Sequence, residues 1–300
     1  MLDKNKWIMP IVIVSAIGIS GWIVNLLIST NTAVPINQSA QIVGIASLEE
    51  NPAHQNASLA VTDSKKSTVE KIAQEVTIRI LGDKSLGSGV IISQIDGVTG
   101  KQSGKTYTVL TCQHVVSEGK KGNYQVLLPD SKTYQARVKF MPKLKGLDLA
   151  IVEFESEDNY QVVKLAESEQ LSPDTAVYAA GFPNYQTIDA KQIEDTSSWG
   201  KRAFRLTAGK IGSVSIAPRS LQAGYSLGYT NEVASGMSGG PLLNDRGELI
   251  GINGRLKYPL EGIDAFTFAD GTKPSVEKFQ QMEALSWAIP IATYQQITQK

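Results

Sequence analysis

Residues 76–291 are cut into short runs of alternating apolar and polar residues, each closed by glycine or a polar turn. No other feature restricts the possible folds as strongly, because period-two alternation fits strands and excludes amphipathic helices. Runs of this kind cover 76–81, 90–92, 107–111, 124–128 and 134–140. Gly87-Ser88-Gly89 turns the chain before the second run, the glycine-containing stretch 96–105 before the third, and Pro129-Asp130-Ser131 before the fifth. The stretch 149–154 is apolar on both faces and is entered through Asp148. Further strands are predicted over 176–181, 201–206, 209–216, 241–243, 248–253 and 287–291, with 183–200 as a polar loop. Strands this short and closely spaced predict an all-β sandwich or barrel. Their division at about Ser168 predicts two packed barrels.

Helices are expected only at the margins. Residues 67–74 suit a short helix, and a short helix closes the chain. The insertion 255–285 holds a helix from Pro274, since proline suits a first helical turn. Val276, Phe279, Met282 and Leu285 form its apolar face, which is expected to pack on a barrel.

The N-terminal part differs. Residues 7–28 are apolar and uncharged, long enough to cross a bilayer as a helix. Lys4 and Lys6 precede them and no Lys or Arg follows before Lys65, which orients residues 1–6 to the cytoplasm. The sequence thus predicts a transmembrane signal anchor at 7–28, a flexible linker at 29–66 and an extracytoplasmic domain at 67–300, periplasmic or at the cell surface. Secretion after signal cleavage is the alternative, although Asn31-Thr32-Ala33 is a poor cleavage site.

Lys plus Arg and Asp plus Glu both number 29, which argues against a nucleic-acid partner. The single cysteine, Cys112, excludes an intrachain disulfide and a multi-thiolate metal site. The two histidines are His54, in the linker, and His114, so no histidine metal cluster is expected, and no cofactor.

The turn Ser235-Gly236-Met237-Ser238-Gly239-Gly240-Pro241 places a hydroxyl among glycines, where successive backbone N–H groups can face one hollow. Serine is a weak nucleophile unless a base activates it and a third group orients the base. His114 and Asp148 are the candidates, giving the chain order His, Asp, Ser.

Leu110-Thr111-Cys112-Gln113-His114-Val115-Val116, Asp148-Leu149-Ala150-Ile151-Val152 and Gly236-Met237-Ser238-Gly239-Gly240-Pro241 resemble the motifs of trypsin-like serine peptidases, and more closely of their Deg/HtrA-type relatives. Gly87-Ser88-Gly89, Gly181-Phe182-Pro183, Thr207-Ala208-Gly209, Leu249-Ile250-Gly251-Ile252-Asn253 and Ala288-Ile289-Pro290 follow in the same order, so the resemblance spans about 76–291. It implies two antiparallel six-stranded Greek-key barrels with the site between them. It also implies Ser238 as nucleophile, His114 as base, Asp148 as its orienting carboxylate, and the N–H groups of Gly236 and Ser238 as an oxyanion hole. Glu232, six residues before Ser238, falls where the family often places the residue that sets primary specificity. A carboxylate there would favour Lys or Arg side chains.

Met237 stands where trypsin has an aspartate that pairs with a freed N-terminus, so activation of that type is not expected. The sequence runs only briefly past the last predicted strand, and the PDZ domain common in Deg/HtrA proteins is not expected within it. Cys112 reads as a small core residue and not as a nucleophile. The expected activity is a membrane-anchored serine endopeptidase acting on proteins or peptides. A catalytically silent peptide-binding domain of the same fold and an esterase are the alternatives, and the oligomeric state is left open.

Overall fold

The computed structural model describes residues 65–82, 86–97, 104–117, 124–167, 171–189, 192–212 and 220–298, all within one compact unit, Glu50–Lys300. The predicted anchor at 7–28 and His54 lie outside the described residues. Among the described residues no helix is long and apolar enough to cross a membrane.

Six strands, β1 (Thr77–Leu81), β2 (Leu86–Asp96), β3 (Lys105–Thr111), β4 (Tyr124–Leu127), β5 (Thr133–Lys139) and β6 (Ala150–Ser156), form a closed antiparallel barrel in the order β1-β2-β3-β6-β5-β4. Closure is achieved by β4, which pairs with β5 on one side and with β1 on the other, placing Ile80 opposite Val126. The barrel is filled by branched side chains such as Ile78, Ile80 and Val109, all fully buried and gathered around Gly89. Ile78 and Ile80 share one face of β1, as period-two alternation requires, while Leu110, next to Val109 in β3, takes the opposite face and is buried too.

A second six-stranded sheet, ordered β10-β7-β12-β13-β14-β11, combines β7 (Ala176–Gly181), β10 (Arg205–Lys210), β11 (Leu227–Tyr229), β12 (Pro241–Leu243), β13 (Leu249–Arg255) and β14 (Ser286–Pro290). Among the described residues its outer strands meet at one bridge, between Ile211 and Tyr229. Two hydrogen bonds flank that bridge, Gly212 N–H to Gly228 O and Thr230 N–H to Lys210 O, both 2.9 Å. The second expected barrel is therefore a sheet drawn together at one point, where the first is paired along whole strands.

Three local expectations are corrected. The polar stretch 183–200 contains a two-stranded hairpin, β8 (Tyr185–Asp189) and β9 (Gln192–Asp195). It lacks a buried face, so no apolar alternation announced it. The predicted strands 201–206 and 209–216 resolve into the single strand β10, because residues 201–203 form a 3-10 turn, and 213–216 lie outside the described residues. Residues 227–229, for which no strand was predicted, form β11, and all three are buried.

Helices form near the expected places: α1 covers 65–76, α2 Val276–Glu283 and α3 Ile291–Thr298, but Pro274 precedes the α2 cap and is not in its first turn. Ser275 caps α2 by accepting from Lys278 N–H at 3.3 Å. Met282 and Leu285 are buried and the Phe279 ring lies 5.7 Å from that of Phe266, whereas Val276 at the first turn stays exposed.

Candidate active site

β3 ends at Thr111; the buried Cys112 follows, with its thiol against Asn253 O, and a 3-10 turn, Gln113–Val115, lifts His114 to the surface. Asp148 enters from the loop before β6. The imidazole Nδ1 and Asp148 Oδ2 are 2.6 Å apart, and the His114 backbone N–H donates to Asp148 Oδ1 at 2.9 Å. The carboxylate therefore grips both the ring and the main chain of His114, which fixes the ring plane and assigns the Nδ1 proton to the Asp side. A third donor, the Tyr225 hydroxyl, bonds to Asp148 Oδ2. Burial alone would raise the Asp148 carboxyl, but its bonds to and attraction by His114, together with Tyr225, hold it below the usual carboxylate range. Burial pushes the Tyr225 phenol up, so it keeps the proton that it donates.

The Gly-rich turn brings Ser238 beside this pair, and His114 and Ser238 line the same cavity of about 530 Å³. The Ser238 hydroxyl points to Gly254 O at 3.5 Å, and among the described residues no hydrogen bond joins it to His114. In the turn, the N–H groups of Met237, Gly239 and Gly240 are bonded to Ala234, Asn253 and Met237 carbonyls at 2.9, 2.8 and 3.1 Å. Among the described residues those of Gly236 and Ser238 have no acceptor. Gly236 has φ +96°, a left-handed conformation that a side chain would strain.

The direction of the Gly236 N–H is set from outside the turn. The Ser235 carbonyl, on the same peptide plane, accepts from Asn184 N–H at 2.7 Å, so the Gly236 N–H faces the opposite way. Asn184 is held in turn: its carbonyl accepts from Thr196 N–H at 2.9 Å, and Thr196 Oγ1 donates to Pro183 O at 2.5 Å. Arg79 of β1, almost fully buried, donates to Thr196 O at 2.7 Å and to Thr196 Oγ1 at 3.1 Å. Ser88 of β2 completes the clamp. Its N–H donates to Ser238 O at 2.9 Å and its hydroxyl to Gly236 O at 2.8 Å, while that hydroxyl accepts from Phe182 N–H at 2.8 Å.

The sequence-predicted residues His114, Asp148, Gly236 and Ser238 are thus gathered at one cleft. Glu232 is not among the residues that line it: its carboxylate is 81 % exposed and pairs with Lys257. Asn231 and Val233 on either side are buried, so the alternation of this segment turns Glu232 outward. Three further residues matter that the sequence did not single out. Tyr225 is one. Asn253 is another, fully buried, with its side chain bonded to Tyr229 OH, Ala180 O and Pro241 O at 2.8–3.2 Å. Ser88 is the third; its Gly-Ser-Gly context marked the motif but not the anchoring role.

Cys112, His114 and Asp148 bring potential metal-binding atoms within 4.8 Å of one another. The Cys112 thiol is pushed up by burial and donates to Asn253 O at 3.1 Å, and Asp148 is already bonded to the imidazole and the phenol. These groups are committed to each other, which suits a proton relay better than an ion.

A carboxylate-oriented imidazole, a neighbouring hydroxyl and two unengaged N–H groups, set against a closed barrel and a second sheet, define the class of trypsin-like serine peptidase domains. The family model described as "Trypsin-like peptidase domain" matches residues 87–252, and the chain belongs to that family. Its relatives are of the Deg/HtrA type. A putative protease Do-like 14 of Arabidopsis thaliana is 29% identical over 208 residues, covering 66% of this chain and 42% of the relative. A probable periplasmic serine endoprotease, DegP-like, of a Marinomonas species is 32% identical over 203 residues, 67% of this chain and 36% of the relative. The chain thus spans less than half the length of these relatives. Among solved structures, a serine endoprotease from Yersinia pestis superposes with a TM-score of 0.51 at 20% identity, covering 78% of this chain and 65% of that one, a likeness of fold.

Proposed function

We propose that this chain is a serine endopeptidase that hydrolyses peptide bonds through an acyl-enzyme. The observation that carries the reading is the double grip of Asp148 on His114, in a cavity shared with Ser238. Ser238 Oγ attacks the scissile carbonyl while His114 Nε2 takes its proton. Asp148, supported by Tyr225, stabilises the imidazolium. The carbonyl oxygen becomes an oxyanion facing the Gly236 and Ser238 N–H groups, each such donor being worth about 3–4 kcal/mol in related chemistry. His114 then gives the proton to the leaving amine, and water, deprotonated by the same imidazole, releases the acyl group and restores Ser238. Protein or peptide substrates fit a cleft this open. Residues 7–28 would serve as a membrane anchor that holds the domain outside the cytoplasm, a placement supported by the uncharged run, its basic flank and the periplasmic description of the Marinomonas relative.

One observation favours a second reading, a silent peptide-binding domain: the Ser238 hydroxyl turns to Gly254 O and not to His114. Apo catalytic sites often show such loose geometry, tightening when substrate binds. Treatment with a serine-reactive phosphonate separates the two. Mass spectrometry should find one adduct, at Ser238, lost in Ser238→Ala; a folded wild-type protein that takes up none would leave only the binding reading.

A further inference from the structure

Arg255 ends β13 immediately after Gly254, whose carbonyl takes the Ser238 hydroxyl, and it lines both the cavity shared by His114 and Ser238 and a second cavity of about 480 Å³ against His114, Asp148 and Tyr225. The guanidinium sits over the Tyr225 ring, with Cζ 4.5 Å from the centroid. Its one hydrogen bond among the described residues is a long one, Nη2 to Gln222 O at 3.4 Å, and Nη1 is buried with no partner. A half-buried guanidinium with an unfilled donor is costly unless an anion completes it.

The carboxylates nearby do not fill that role. Asp148 is bonded to His114 and Tyr225. Asp264 is paired with Lys273 at 2.5 Å, and Glu261, on the cavity wall, is exposed and forms no ion pair with Arg255. The guanidinium fork is planar, the geometry that suits a carboxylate.

We propose that Arg255 is a specificity-determining residue that pairs with an acidic side chain of the substrate, Asp or Glu, close to the cleaved bond. This rests on the peptidase reading of the same cleft. It differs from the Glu232 expectation in sign as well as in place: the charge selected is negative, and the selecting group faces the catalytic imidazole.

The test uses internally quenched peptides found by unbiased cleavage profiling of the full chain, made in pairs with Asp or Asn at each position flanking the bond. The expected result is a kcat/KM for the Asp member higher by about tenfold or more at one position. That ratio should fall near one in Arg255→Gln, survive in part in Arg255→Lys, and invert to favour Lys over Gln in Arg255→Glu. No acid preference at any position, or one retained in Arg255→Gln, overturns the proposal. Fluorescence anisotropy of labelled Asp and Asn peptides on Ser238→Ala reads the same preference without turnover. If the wild type cuts no peptide, the peptidase reading fails, and equal binding of Asp and Asn peptides would then reject Arg255 separately.

Discussion

In the first barrel, every strand is paired on both sides, and β4 and β1 share a continuous register from Arg79–Leu127 to Leu81–Gln125. In the second sheet, among the described residues, the outer strands pair only where Ile211 meets Tyr229. The groups proposed as catalytic divide between them accordingly. His114 and Asp148 sit at strand ends of the closed barrel, whereas Ser238 and the Gly236 N–H sit on a turn of the more open sheet. That turn is not left to its own sheet. Ser88 and Arg79, both from the closed barrel, reach across to hold it, directly in the first case and through Thr196 and Asn184 in the second. The comparison teaches that the better-closed half contributes two of the three groups of the proposed triad and also the struts for the third.

Asp148→Asn should break the catalytic side of this comparison outright. With the tautomer reversed at Nδ1, kcat is expected to fall about 10,000-fold while the thermal midpoint moves little; near-normal turnover would show that the closed barrel does not supply the relay. Arg79→Met tests the longer strut. Removing the guanidinium takes one of two donors from the Thr196 carbonyl, which keeps the Trp199 N–H at 2.9 Å, and the donor to the buried Thr196 hydroxyl, so urea denaturation should show a loss of about 1–2 kcal/mol, together with a lower kcat. Loss of stability with kcat intact would separate Arg79 from the oxyanion turn.

Ser88→Ala sharpens the point at the nearer strut. It deletes one bond to Gly236 O and one from Phe182 N–H, so kcat is expected to drop about tenfold or more by misplacement of the N–H donors, with a smaller change in KM. The smallest effect should be remote from the cleft. Glu248, bonded to Lys164, Asn244 and Arg246, is lowered to about 2. A carboxyl depressed in the folded state stabilises above its unfolded pKa of about 4.5 and loses that contribution as pH falls from there to about 2. Glu248→Gln should therefore cost about 1 kcal/mol at pH 7, since Lys164 and Arg246 are largely exposed. The difference from wild type should vanish towards pH 2, and a constant gap across that range would contradict the assignment.

Most strands were legible because alternation records a buried face; Ile78 and Ile80, or Tyr107 and Val109, are cases in point. The hairpin 185–195 was not, since both its faces meet solvent and its residues carry no pattern. Arg79 was misleading in another way. In a run alternating Thr, Ile, Arg, Ile, its charge implied an outward position, yet Thr196 packs over that outer face and the guanidinium is enclosed. The triad could be found from local motifs because each member sits at a fixed offset within one. Tyr225 and Arg255 have no such offset, being brought to Asp148 by the pairing of β11, β13 and β14. Glu232 shows the limit of counting from Ser238: a position in the chain was legible, but the direction of its side chain depends on which neighbours are buried.

At Gly239 a Cβ would collide with the Ser88 carbonyl and with Thr111 Oγ1, and at Gly240 with the Ala180 carbonyl. Ala180 and Gly240 belong to the same sheet, whereas Ser88 and Gly239 come from different halves, so across the halves the turn that carries Ser238 lies directly on the Ser88 main chain. A side chain at 239 would act as a wedge there, spreading the seam along which the hydroxyl and the imidazole meet.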